Sequence, residues 1–135
     1  MTRTAPLAVV LVLYLAVLGR GPIGRLLGGS GFDPLAPRPS AVEQLIAGGR
    51  YGEALPLARE LQGAFPDEAL VSYWLATINH RLARWSDEAD AWAEYVRTSA
   101  APKEACPAWP DARARSGDEA RAHAAAVRCE EIARR

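Results

Sequence analysis

Lysine is nearly missing from this chain: Lys103 is the single lysine among 16 basic residues. Histidine is limited to His80 and His123, cysteine to Cys106 and Cys129, and methionine to Met1. There is no Cys-x-x-Cys, no Cys-x-x-Cys-His haem signature, and neither histidine has a companion at ligand spacing, so no metal or cofactor is expected. Charge of either sign in excess is also lacking, because 16 acidic residues balance the 16 basic ones. A neutral balance leaves no electrostatic footprint for nucleic acid. Arginine in place of lysine, with abundant alanine, reads as GC-rich coding rather than as a phosphate site. Gly28-Gly29-Ser30-Gly31 has no strand before it and no Lys-Ser/Thr after it, so it is not a phosphate loop. Asp87-Glu88 and Glu130-Glu131 read as helix-terminal and surface charges, not as catalytic pairs, and no catalytic residue is expected. Strand formers are sparse beyond residue 40, where Ala, Leu, Glu and Arg dominate, so the fold class is all-α.

The chain divides into three parts. Residues 7–18 read LAVVLVLYLAVL, an uncharged apolar run that Arg3 precedes and Gly19-Arg20-Gly21-Pro22 ends. The run suits a secretory hydrophobic region in length, being shorter than the ~20 residues of a full span. Yet no Ala-x-Ala cleavage site follows it. Residues 1–19 are therefore expected to be a retained signal-anchor helix, with residues 5–19 in a lipid bilayer and Arg3 and Arg20 snorkelling to its two faces. A cleaved signal is the alternative. No cysteine follows the run, which excludes a lipoprotein anchor. Arg20 and Arg25 compete with Arg3 over topology, and the signal-like layout favours export of the rest. Residues 20–39 hold five glycines and four prolines and read as a tether. Residues 40–135 are the folding domain, roughly 95 residues, enough for a modest core.

Within that domain, Ser40 with Glu43 forms a capping box for a first helix over 41–47, stopped by Gly48-Gly49. A second helix over 51–64 buries Leu55, Ala58, Leu61 and Phe65, with Pro56 tolerated in its first turn. A third, over 67–83, turns Leu70, Trp74, Leu75, Ile78 and Leu82 inward. Ser86 caps a fourth, over 87–99, whose inward residues are Ala89, Trp92, Ala93 and Val96. Residues 102–111 contain three prolines and read as a loop. A final helix, opened by Ser116, Asp118 and Glu119 and running to residue 133, has a thin apolar stripe of Ala122, Ala125, Cys129 and Ile132, and serves as a cap.

Tyr51 and Trp85 stand 34 positions apart, the period of a helix–turn–helix solenoid unit. Gly49, Tyr51, Ala54 and Pro66 mark the first unit; Leu75, Ala76, Trp85 and Ala89 mark the second. On these residues, over about 40–102, the chain resembles the tetratricopeptide repeat family. In the second unit Ala83 stands at the turn glycine, and one residue is inserted between Trp85 and Ala89. The resemblance implies two helical units plus a C-terminal capping helix, and protein–protein binding on the face of the first helix of each unit. Two units fall short of the ~3 needed for stability alone, which implies a partner or a staple. Of the positions that carry a peptide-carboxylate clamp in the family, only Asn79 and Arg81 offer suitable groups, so no clamp is carried over.

Cys106 and Cys129 supply a candidate staple: in an oxidising compartment they would close a loop of about 23 residues, worth about 3 kcal/mol. Two free thiols packing as small hydrophobes are the alternative. Trp109, set between Pro107 and Pro110, is either an exposed aromatic anchor or a side chain folded back over the last helix. Tyr73, Asn79 and Arg81 are further candidates for partner contact. The sequence therefore predicts a non-enzymatic interaction module, anchored by a single pass in a bacterial-type inner membrane with its helical domain on the periplasmic side. Its expected partners are other protein subunits of a larger membrane complex, such as a respiratory or photosynthetic one. A freely exported adaptor with a cleaved signal is the first alternative, and an enzyme or cofactor-carrying subunit the second.

Overall fold

The structure is a computed structural model that describes residues 38–135, and all its regular elements are helical. The expected anchor and nearly all of the expected tether lie outside the described residues. The helices are α1 (Pro39–Ala47), α2 (Tyr51–Ala64), α3 (Ala69–Arg81), α4 (Trp85–Thr98), α5 (Trp109–Arg115) and α6 (Glu119–Ala133), with a 3-10 turn at Pro102–Ala105 between α4 and α5. Each helix packs chiefly on the one before it and the one after it.

Three tight turns carry the same backbone hydrogen bonds. Arg50 N–H donates to the Leu45 carbonyl at 2.8 Å, Arg84 to Asn79 at 2.9 Å, and Asp118 to Arg113 at 3.1 Å. One residue earlier, Gly49, Ala83 and Gly117 donate to Ile46, His80 and Ala114. Those three donors have φ of 70°, 54° and 84°, the left-handed geometry that satisfies the last carbonyls of a helix. Every member of one set lies 34 positions from its counterpart in the next. The described chain is thus three helical hairpins, α1/α2, α3/α4 and α5/α6.

This register corrects three expectations. Residues 109–115 are helix rather than loop, because Trp109 and Pro110 occupy its first two positions, where a proline lacks nothing the helix needs. The last helix is accordingly half of a hairpin, not a lone cap. No residue is inserted in the second unit either: the counterpart of Ala54 is Glu88, and Ala89 takes the place of Leu55.

Helix ends differ from expectation for local reasons. Pro39 opens α1 at its first turn with Arg38 as cap, and the Ser40–Glu43 box does not form. Proline's fixed φ is already helical, so it starts the helix instead of blocking it. Pro56 lies beyond the first turn of α2 and removes one hydrogen bond from its exposed side. Phe65 leaves the helix at φ −132° and is 56% exposed. Glu68 caps α3 by accepting from Leu70 N–H at 3.4 Å. Arg84, not Ser86, precedes α4 and makes no side-chain cap bond.

The core runs through Val42, Leu61, Trp74, Leu75, Ile78 and Trp92. Helix α3 lies between α2 and α4, so two of its faces are covered: Val71, Trp74, Leu75 and Ile78 are buried, and so are Ser72, Ala76 and Asn79. Leu70 and Leu82, expected inside, are exposed: Leu70 lies on the uncovered face of α3, and Leu82 caps its C-terminal end. Cys106 and Cys129 are joined, with Cα atoms 5.4 Å apart, and the bond ties the segment after the 3-10 turn to α6. Closing that loop contributes about 3 kcal/mol in the chain-entropy account.

Candidate interaction surface

The turn aromatics mark the joints between hairpins. Tyr51 is half-buried, and the Arg81 guanidinium lies 5.9 Å from its ring centre. Trp85 stands in the same relation to Arg115, at 4.8 Å, and His80 meets its edge at 5.6 Å. Tyr51 and Trp85, and likewise Arg81 and Arg115, are one repeat apart. Each turn aromatic is covered by a cation from the next hairpin, a contact worth about 0.5–1 kcal/mol at an exposed site. Arg81, a candidate for partner contact, is engaged in this way within the chain. Further links between hairpins come from Arg97, which reaches Asp67 at 3.0 Å and the Pro66 carbonyl at 3.3 Å, and from Arg113, which reaches Asp90 at 2.6 Å.

At the position where the first hairpin has the small Ala54, the second has Glu88, 3% exposed. Its carboxylate accepts from the Trp92 indole N–H at 3.2 Å and lies 3.2 Å from His80 Nδ1. A buried carboxylate needs such partners. The sequence places Glu88 among helix-terminal and surface charges, whereas the structure buries it. The i, i+4 spacing of Glu88 and Trp92 was the available signal for their bond.

Asn79, another candidate for partner contact, is 3% exposed. Its side-chain oxygen has no hydrogen-bond partner among the described residues, and the same holds for the Trp109 indole N–H. Trp109 itself is half-buried and packs against the core. Its place at the first position of α5 points the indole at the helices beneath.

Tyr73 is the candidate that the structure leaves outward, at 42% exposed, beside Leu70 at 47%. The two lie three residues apart on the uncovered face of α3. The Tyr73 ring meets Trp92 edge-on at 5.8 Å and Tyr95 at 6.1 Å, and Trp92 meets Tyr95 at 5.7 Å. Tyr95 is buried and its hydroxyl donates to Glu104 at 2.6 Å. The hydrogen bond to that carboxylate, with burial added, pushes the Tyr95 hydroxyl above the ordinary tyrosine range. Leu70, Tyr73, Tyr95 and Glu104 line an open hollow of about 310 Å³. Glu104 also borders a second hollow, of about 520 Å³, between the ends of α4 and α6. Aromatic side chains with exposed aliphatic edges are enriched at protein interfaces. Sequence patterning missed Tyr95, because its burial depends on the 3-10 turn folding over α4.

Among the described residues, no group of three or more His, Cys, Asp or Glu side chains is placed to hold a metal ion. No helix among them is long and apolar enough to cross a membrane. Compared with known proteins, the chain matches no family model, no curated protein and no solved structure.

Proposed function

We propose that residues 38–135 form a non-enzymatic protein-interaction module of the tetratricopeptide type, whose open face on α3 and α4 receives another protein subunit. The observation that carries this reading is the 34-residue recurrence of the helix-ending turn through three hairpins. The turn aromatics at Tyr51 and Trp85 and the exposed Leu70–Tyr73 edge add to it. A joined Cys106–Cys129 pair suits an oxidising compartment, which favours export of the domain. With the apolar run at residues 7–18 as a retained anchor, the module would stand on the periplasmic side of a bacterial-type inner membrane, as an accessory or assembly subunit of a larger complex. Three hairpins also meet the ~3 repeats that independent folding requires, so a partner is needed for function rather than for folding.

Two measurements test this. The mature protein, extracted in mild detergent, should have a mass that includes residues 1–19; a chain beginning near Arg20 would leave the freely exported adaptor as the reading. Leu70→Ser and Tyr73→Ser should each reduce co-purification of partner subunits by tens-fold with helicity unchanged, since an interface aromatic commonly contributes ~2 kcal/mol or more. Undiminished recovery by both variants would place the interface elsewhere.

A further inference from the structure

The larger hollow, about 520 Å³, lies between the end of α4, the 3-10 turn and the end of α6. Its floor is apolar, formed by Val96, Ala100, Pro102 and Ile132. Its rim carries Lys103, Arg128 and Arg135. Arg128 is answered by Glu131 at 2.8 Å. Neither Lys103 nor Arg135 has an acidic side-chain partner among the described residues. The one acidic side chain on the lining, Glu104, accepts from the Tyr95 hydroxyl and keeps its charge, so the lining holds three cationic side chains against one anionic one. In a chain with no net charge, this excess of cations around an apolar floor is a local asymmetry that selects for an opposite charge.

We propose that this hollow binds a segment of a partner protein that presents an aliphatic side chain next to a carboxylate. The aliphatic group enters between α4 and α6, and the carboxylate meets Lys103 and Arg135. This rests on the reading of the domain as an interaction module. A small inorganic anion would leave the apolar floor wet. A wholly apolar segment would take water from two cations without replacing it, at a cost that favours the acidic one. The volume suits one or two side chains, within the ~300–1,000 Å³ of ordinary ligand sites.

The disulfide makes the site redox-dependent. One wall is the segment that ends at Cys106, and the other is the α6 turn that carries Cys129. Their bond sets the distance between the walls, so opening it by a dithiol reductant frees one wall from the other and weakens binding. The exchange transfers two electrons from the reductant's thiols to the cystine, leaving two protein thiols and an oxidised reductant.

The test uses the full chain in mild detergent and a random heptapeptide display library. Recovered peptides are synthesised with a fluorophore and titrated by polarisation against wild type, Lys103→Glu/Arg135→Glu, Ala100→Trp and Leu70→Ser. Circular dichroism confirms that each variant is folded; the substituted positions are all solvent-exposed. The expected peptides pair Asp or Glu with Leu, Ile or Val. Their affinity should fall about tenfold or more in the charge-reversed variant and in Ala100→Trp, which fills the hollow. It should return to the charge-reversed variant when the peptide's acid is exchanged for lysine, change little in Leu70→Ser, and fall on reduction. Peptides that bind the charge-reversed variant and Ala100→Trp as tightly as wild type overturn the inference. If those peptides are lost in Leu70→Ser, the interaction reading stands with its site on α3. A library that yields no binder to the folded chain overturns both.

Discussion

Ala83 holds φ 54°, where a Cβ crowds the following carbonyl, while its counterparts one repeat away on either side, Gly49 and Gly117, are glycines. Ala83→Gly removes that crowding and adds flexibility to the unfolded chain. The net expectation is a gain of about 0.5–1 kcal/mol, read as a higher urea midpoint. A lower midpoint would mean that the Ala83 methyl makes contacts worth more than the strain. Tyr95 offers a second residue-scale test. Its hydroxyl is held by Glu104 above the ordinary tyrosine value, so the folded state binds its proton more tightly than the unfolded state does. The sign follows directly: this contribution to stability is complete below the ordinary value near pH 10 and is lost as pH rises through the folded one. Titration of phenolate absorbance should show Tyr95 ionising above the ordinary tyrosine range, and Glu104→Gln should bring it down. Unchanged titration in Glu104→Gln would leave burial as the cause. The alanine at the turn could be read in the chain as a replaced glycine; the Tyr95–Glu104 bond could not, since it joins residues from two elements whose approach no local pattern encodes.

Helix α5 and the 3-10 turn are the elements that the sequence did not announce. Three prolines over ten residues suggest a loop, but Pro102 and Pro110 both sit in the first turn of a helical segment, where their missing N–H groups cost nothing. Proline spacing alone does not distinguish a helix opening from an irregular stretch. The α5/α6 hairpin has little apolar surface of its own, with Ala112, Ala125 and Ile132 its buried hydrophobics. Its attachment therefore depends on the Cys106–Cys129 bond, the Arg113–Asp90 pair and the packing of Trp109 on the core. Reduction should lower stability by about 3 kcal/mol. Hydrogen exchange should then show α6 and the 3-10 turn opening first, while α2 to α4 stay protected. Uniform loss of protection throughout would mean that the third hairpin and the first two fold as one unit.

Across the whole domain, stability is a sum of hairpins and the joints between them. Trp85 belongs to a joint: it is half-buried at the turn of the second hairpin, with Arg115 of the third over its ring. Trp85→Ala should cost about 2–3 kcal/mol, less than a fully buried tryptophan would, and Tyr51→Ala less again, because Arg81 stands farther from its ring. Thermal melts of the two variants check the order. A Trp85→Ala melt that matches wild type would remove the turn aromatic from the energetics of stacking and with it the basis for treating Tyr51 and Trp85 as equivalent.

The helical class, the bounds of α2, the turn positions at Gly49 and Ala83 and the pairing partners Cys106 and Cys129 were all legible in the chain. Each depends on local chemistry: helix propensity, an aromatic and a left-handed residue at a turn, two cysteines with no other partner. The register of the second hairpin was not legible, because a one-residue shift aligns Ala89 with Ala54 as readily as the observed frame aligns Glu88 with it. Only the packing of α3 against α4 puts a carboxylate at the small-residue position, where His80 and Trp92 meet it. The same packing decided the surface. Covering α3 on two sides buries Asn79 and leaves Leu70 outside, and seating α5 on α4 turns Trp109 inward. Helical periodicity says which residues share a face, but which face remains open depends on neighbours that arrive from elsewhere in the chain.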